Sequence, residues 1–202
     1  MKTAPLLVAS IASLMLIGCA SKKRPSSDSA EVCTPPPEYS LPVTIRPQET
    51  YLWCWAASGE MIMDFLGTDV TQCDQANRRL GESDCCGQPA PSDCVKTGWP
   101  EFDKYDFAYK NTSDAPRTWA QIKEEIYCKQ KPLAFTWRWT GGSGHMMVIT
   151  GYRTVAGENY VTVLDPLPVN HGTPKTMTYD TYVSGSGYTH WDDYYDVTKE
   201  GP

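Results

Sequence analysis

The apolar period of this chain changes once, at Pro132, and that change confines it to a small set of folds. Ahead of it, Trp55, Gly59, Ile62, Met63 and Leu66 fall on one helical stripe, with Gly67 as a stop. The stripe predicts a helix of about twelve residues with Cys54 in its first turn. A second, shorter helix is expected to carry Cys73, Ala76 and Leu80 on one face and to end at Gly81. A third is expected to start at Thr118, where Thr118-Trp119-Ala120-Gln121 has capping-box spacing, and to run to Lys129. Beyond Pro132 come β-branched and aromatic runs divided by glycines: Leu133 to Thr140, Met146 to Tyr152, Tyr160 to Leu164 and Gly187 to Val197. Phe107-Ala108-Tyr109 reads as one further short strand. Helices first and antiparallel strands after make an α+β protein.

A length of 202 residues suits one domain with a tail, and 41% apolar residues, with 11% aromatic, supply a real core rather than disorder. A net charge of −6 argues against nucleic acid as a partner, since that role needs a basic face. Only Ala4 to Ile17 is apolar enough to meet a membrane, and after Met1-Lys2-Thr3 it reads as a secretory h-region, too short for a span. It ends in Leu16-Ile17-Gly18-Cys19, which resembles a bacterial lipobox, a class cleaved before the cysteine and acylated on it. Residues 1–18 are therefore expected to be a lipoprotein signal peptide and Cys19 the lipidation site. Residues 19–40, with Lys22-Lys23-Arg24 and Pro35-Pro36-Pro37, are expected to be a flexible tether, and residues 41–202 the folded domain. The expected location is the bacterial cell envelope, lipid-anchored in a membrane and facing the periplasm or the surface. Ala20 after the cysteine favours the outer membrane.

Export places the cysteines where disulfides persist. With Cys19 acylated, seven of the eight remain, an odd number, so three disulfides would leave one thiol free. The arithmetic alone does not say which. Most of the seven lie between Cys73 and Cys128 among Gly, Pro, Asp and Ser, a stapled, loop-rich composition, and Cys33 is placed to pin the tether to the body. Zinc is not expected: the spacings form no paired CxxC knuckles, and adjacent Cys85 and Cys86 suit a tetrahedral site poorly. No cofactor is implied.

Cys54 is either a buried small apolar residue, a disulfide half, or a nucleophile. A nucleophilic cysteine needs a lowered pKa, a base, a group to orient the base, and donors for an oxyanion. The start of a helix supplies unpaired N–H groups and a favourable dipole. Among the three histidines, His145 follows Gly141-Gly142-Ser143-Gly144 at the mouth of a strand and is the best base. His171 lies in a Pro/Asn/Gly loop and reads as surface, and His190 beside Trp191 reads as packed or exposed on a late strand. Asp165 ends a strand before Pro166. If that strand pairs with the one after His145, Asp165 and His145 share an edge. Gln48, six residues before Cys54, is placed to offer an amide N–H to an oxyanion.

Gln48, then Cys54-Trp55-Ala56, then His145 in Gly-His-Met-Met-Val-Ile-Thr-Gly-Tyr, then Asp165-Pro166, resemble the papain-like cysteine peptidase superfamily. The likeness is closer to its small bacterial members, such as the bacteriocin-leader peptidase type and secreted effector proteases. The resemblance spans Leu41 to Val197. It implies Cys54 as nucleophile, His145 as base and later acid, Asp165 as orienter, and Gln48 in the oxyanion hole. It further implies a helical lobe against a β-sheet lobe with the cleft between, and a peptide or protein substrate. With Cys54 as nucleophile, Cys33, Cys73, Cys85, Cys86, Cys94 and Cys128 are the disulfide candidates. The third position is Asp rather than papain's Asn, as in other bacterial branches.

Trp55 is expected in the core with its stripe, leaving Trp53 as a candidate for the groove. Trp137 and Trp139 are expected to face the core, with Arg138 exposed between them. Asp192-Asp193 and Glu124-Glu125 read as solvated charges, with no pair singled out for glycosidase chemistry. Two alternatives remain: the same fold used as a cell-wall amidase, endopeptidase or transglutaminase-like acyl transferase, or an inactive surface module that captures a peptide.

Overall fold

In the computed structural model, which describes Met1 and residues 32–201, the elements run as follows. Strand β1 (Glu38–Ser40) precedes helices α1 (Cys54–Phe65) and α2 (Gln72–Leu80), then strand β2 (Phe107–Asn111). Helix α3 (Trp119–Lys123) continues into a π turn at Glu124–Cys128, before strands β3 (Leu133–Trp139), β4 (Gly144–Val155), β5 (Glu158–Asp165) and β6 (Thr173–Thr178). Helix α4 (Tyr179–Val183) and strands β7 (Ser184–Gly185) and β8 (Tyr188–Lys199) complete the order. The expected helices appear within a residue or two of their predicted bounds, except that the third finishes as a π turn. Thr118 makes the anticipated reciprocal capping box with Gln121, and Gly81 closes α2 in the left-handed conformation.

The eight strands of the described residues join one antiparallel sheet in the order β2-β8-β3-β4-β5-β6, with β1 on β4 and β7 on β8. The long apolar runs of β3 and β4 are explained by burial on both faces. On one face, Ala134, Met146, Val148 and Leu164 pack with Trp53, Trp55, Met61 and Ile62 of the α1 region. On the other, Leu133, Phe135, Met147, Ile149, Val161 and Val163 pack with Ile122, Ile126 and Tyr182. Helix α1 is itself buried from Trp55 through Met63, so it is a central helix rather than a surface one.

Disulfides join Cys33 to Cys128, Cys73 to Cys86 and Cys85 to Cys94, and Cys54 is the free cysteine among the described residues. Cys19 and the start of the expected tether lie outside the described residues. Two later points of that stretch are fastened to the body. Cys33 is covalently tied to the π turn, and Glu38–Ser40 pair with Arg153–Gly151 of β4. A side chain at Gly151 would meet Ser40 and come within 2.8 Å of the Tyr39 carbonyl, so glycine is what lets β1 lie down there.

Phe135 is fully buried on β3 and packs edge-on against Trp137 and Tyr182. Replacing it with alanine is expected to cost about 3–5 kcal/mol in urea unfolding. A loss below about 1 kcal/mol would contradict this account of the second core.

Candidate active site

Helix α1 begins directly at Cys54. The residue ahead of it, Trp53, has no side-chain acceptor to cap the first turn, and no acidic residue follows within it. The leading N–H groups therefore face the space beside the half-buried Cys54 thiol rather than a capping oxygen. His145 is the second residue of β4, after a tight loop in which Gly142 and Ser143 take positive φ. Asp165 is the last residue of β5. Antiparallel pairing of Val148 with Leu164 brings the start of β4 beside the end of β5, so the two side chains meet at one sheet edge.

His145 Nε2 lies 2.7 Å from Asp165 Oδ1. Cys54 also acts on the ring, as hydrogen-bond partner and as charge, and with Nε2 engaged it is Nδ1 that remains for the sulfur. Burial opposes a charged imidazole, but the bonds to Asp165 and Cys54 and their negative charges outweigh it, raising the ring's pKa to about 9. Burial opposes the Asp165 carboxylate as well. The His145 bond and charge, the Lys175 ammonium and the Leu167 N–H hold it down to about 2. Lys175, which the sequence reading passed over, sits 2.6 Å from Oδ2.

Gln48 is buried and lines the same cleft, but its Nε2 donates to the carbonyls of Thr50 (2.9 Å) and Tyr51 (2.8 Å). Both amide hydrogens are thus directed at the turn leading into α1 rather than at the cleft, which departs from the oxyanion role expected from the sequence. His171 is exposed, with Nδ1 2.9 Å from the Val169 carbonyl. His190 is buried, stacked 6.3 Å from Phe135, and takes no part in the cleft.

The cleft has a volume of about 610 Å³ and an aromatic rim: Trp99 is 51% exposed and Trp139 36%, and Trp191 lines the wall beside His145. This reverses two expectations. Trp53 is fully buried with its indole N–H on the Cys94 carbonyl at 2.8 Å, so it does not line the groove; Trp55 is in the core as expected and also borders the cleft. Trp137 is core, but Trp139 faces the cleft, because β3 runs out past the end of the second core. Arg138 stacks 4.4 Å from Trp191 and pairs with Asp114.

Two acids expected in solvent are instead fully buried, Asp193 and Glu125. Asp193 accepts from the Tyr182 hydroxyl (2.7 Å) and the Arg117 backbone N–H (2.8 Å). Glu125 accepts from Lys129 and from the Asp196 N–H. Each carboxylate is satisfied by donors distant in sequence or one helical turn away, which offsets its desolvation.

The family model described as Peptidase_C39 like family matches residues 40–197. The chain belongs to this family. At the level of the family this is a cysteine peptidase, a hydrolase. No curated protein matches the chain. A solved structure from a study of limited antibody cross-reactivity between the mite allergens Blo t 1 and Der p 1 is similar at 12% identity and a TM-score of 0.45, covering 87% of this chain and 74% of that one.

The raised His145 value predicts a pH-dependent stability. In the unfolded chain the ring titrates near 6.5, so its contribution to stability is full below that pH and is lost as pH rises through about 9. Asp165 behaves oppositely: its contribution is full above about 4 and is lost as pH falls through about 2. The difference in urea-unfolding free energy between the native sequence and His145→Gln should therefore shrink between pH 6.5 and 9.5. A difference that stays constant across this range would contradict the linkage.

Proposed function

We propose that this member of the family hydrolyses peptide bonds with Cys54, His145 and Asp165 as a catalytic triad, in a cleft between the α1 region and the sheet. The observation that carries the reading is the 2.7 Å contact of His145 Nε2 with Asp165, which leaves Nδ1 for the unpaired Cys54 at the start of α1. In the first step the Cys54 sulfur attacks the scissile carbonyl carbon and the C=O electron pair moves onto oxygen. The backbone N–H of Cys54, in the first turn of α1, serves as a donor to that oxyanion, with Gln48 bracing the 50–51 turn. As the tetrahedral intermediate collapses, the C–N bond breaks and His145 gives its Nδ1 proton to the departing amine, leaving a thioester. The neutral ring then takes a proton from water, whose oxygen attacks the thioester. The C–S bond breaks, releasing the acid and restoring the sulfur–imidazolium pair. Asp165 stays ionised throughout and holds the ring's tautomer and orientation.

The N-terminal Leu16-Ile17-Gly18-Cys19 supports a lipid-anchored enzyme of the bacterial envelope, with Cys19 acylated and the substrate a peptide or protein met outside the cytoplasm. Three disulfides fit an oxidising compartment. Incorporation of labelled palmitate that disappears in Cys19→Ser is the expected result for the anchor.

The chemistry is tested by alkylation with iodoacetamide at pH 6, read by intact mass and peptide mapping. An ordinary thiol is almost wholly protonated there and labels slowly. The expected outcome is rapid addition of one label at Cys54, slowed at least about tenfold by His145→Ala. Digestion of a mixed peptide library should be lost in Cys54→Ala, by about 10³-fold or more. Slow labelling indifferent to His145, or cleavage that survives Cys54→Ala, would overturn the proposal.

A further inference from the structure

The carboxylate that orients His145 is itself held by a cation. Asp165 Oδ1 receives the ring Nε2 and the Leu167 N–H (2.9 Å), and Oδ2 receives Lys175 Nζ at 2.6 Å. Lys175 comes from β6, where it pairs across from Val163 of β5, two residues before Asp165 in the neighbouring strand. Its ammonium also lies 5.9 Å over the Trp137 ring, so it is fixed from two sides. We propose that Lys175 is a positioning residue that acts through Asp165, withdrawing part of the carboxylate's charge so that His145 holds its proton less tightly and can release it to a leaving group. This rests on the triad reading given above.

The sign of the effect follows from charge. An isolated carboxylate 2.7 Å from the ring favours the imidazolium strongly, and the Cys54 sulfur adds to it. A base that binds its proton too firmly is a poor general acid in the next step. A lysine on the far oxygen of the same carboxylate opposes both negative neighbours through space and by polarising the shared group. The charged and titratable groups that act directly on His145 are Cys54 from α1 and Asp165 from β5, and Lys175 from β6 is joined to it through Asp165. Arg138 on β3 has its charge paired with Asp114, and His171 in the loop after β5 is exposed and turned to the Val169 carbonyl.

A lysine that merely pinned Asp165 in place would predict the opposite sign. Its loss would let Asp165 swing away, and His145 would become less basic. The decisive experiment follows the ring resonances of the three histidines by NMR across pH in the full chain, for the native sequence, Lys175→Met and Lys175→Arg. The expected result is a His145 midpoint that rises by about half a pH unit or more in Lys175→Met and stays at the native value in Lys175→Arg, which keeps the charge. An unmoved or lowered midpoint in Lys175→Met overturns the proposal. Lys175→Gln, which keeps a donor for Oδ2 without the charge, serves as a second neutral variant should the methionine one fail to fold, and the same upward shift is required of it. Cys54→Ala separates this from the triad reading. If the sulfur is the ring's partner, its removal lowers the His145 midpoint. If the midpoint does not respond to Cys54→Ala, the triad reading fails while the Lys175 comparison stays readable.

Discussion

Strand β4 is hydrogen-bonded along both edges and buried on both faces, and this double constraint fixes its register against β5. Side chains alternate with a period of two. A slip of one residue would turn His145 away from Cys54 and carry Met147 and Ile149 out of the second core. The distance between His145 and Asp165 is therefore not an adjustable property of two flexible loops. It is inherited from a ladder whose sliding would expose two apolar faces at once, each buried side chain there contributing roughly 1.5–3 kcal/mol. Cys54 is held with similar stiffness, because α1 is buried from its second residue onward.

The proposed chemistry is a balance of charges within the cleft. Asp165 and Cys54 raise the pKa of His145 against its burial, and Lys175 holds the far oxygen of the Asp165 carboxylate. Trp99, Trp139 and Trp191 line the cleft beside this set, and a charge pair strengthens wherever apolar walls displace water from it. The membership of the chain in a cysteine peptidase family and this electrostatic arrangement point the same way, from independent observations.

Much of this was legible in the sequence wherever a local pattern carried it. The stripe from Trp55 to Leu66 marked α1, Thr118 to Gln121 marked a cap, and the glycine-divided apolar runs marked β3, β4 and β5. The four site residues named from sequence all fall at one cleft or its supporting edge: Cys54, His145 and Asp165 stand at the ends of locally readable elements, and Gln48 lies in the segment leading into α1. What escaped has no local signature. Strand β6 reads Thr-Pro-Lys-Thr-Met-Thr, polar and with a proline, so neither the strand nor Lys175 announces itself. Strand β1 is three residues long and is stabilised by what it lies upon. Asp193 and Glu125 each sit beside another acid, a pattern typical of solvated surface, and only long-range folding supplies donors such as Arg117 and Tyr182. The orientation of the Gln48 amide depends on where the Thr50 and Tyr51 carbonyls point, which spacing cannot convey.

The Cys33–Cys128 disulfide carries a mechanical consequence. Any tension on the chain ahead of Cys33 is delivered through a covalent bond into the π turn beneath the second core. The segment that follows carries β1. Its hydrogen bonds to Gly151–Arg153 prop the far half of β4, the strand that begins with His145. A body pulled from its N-terminal side thus meets the load first at a sulfur–sulfur bond, upstream of the ladder that sets the spacing of His145 and Asp165.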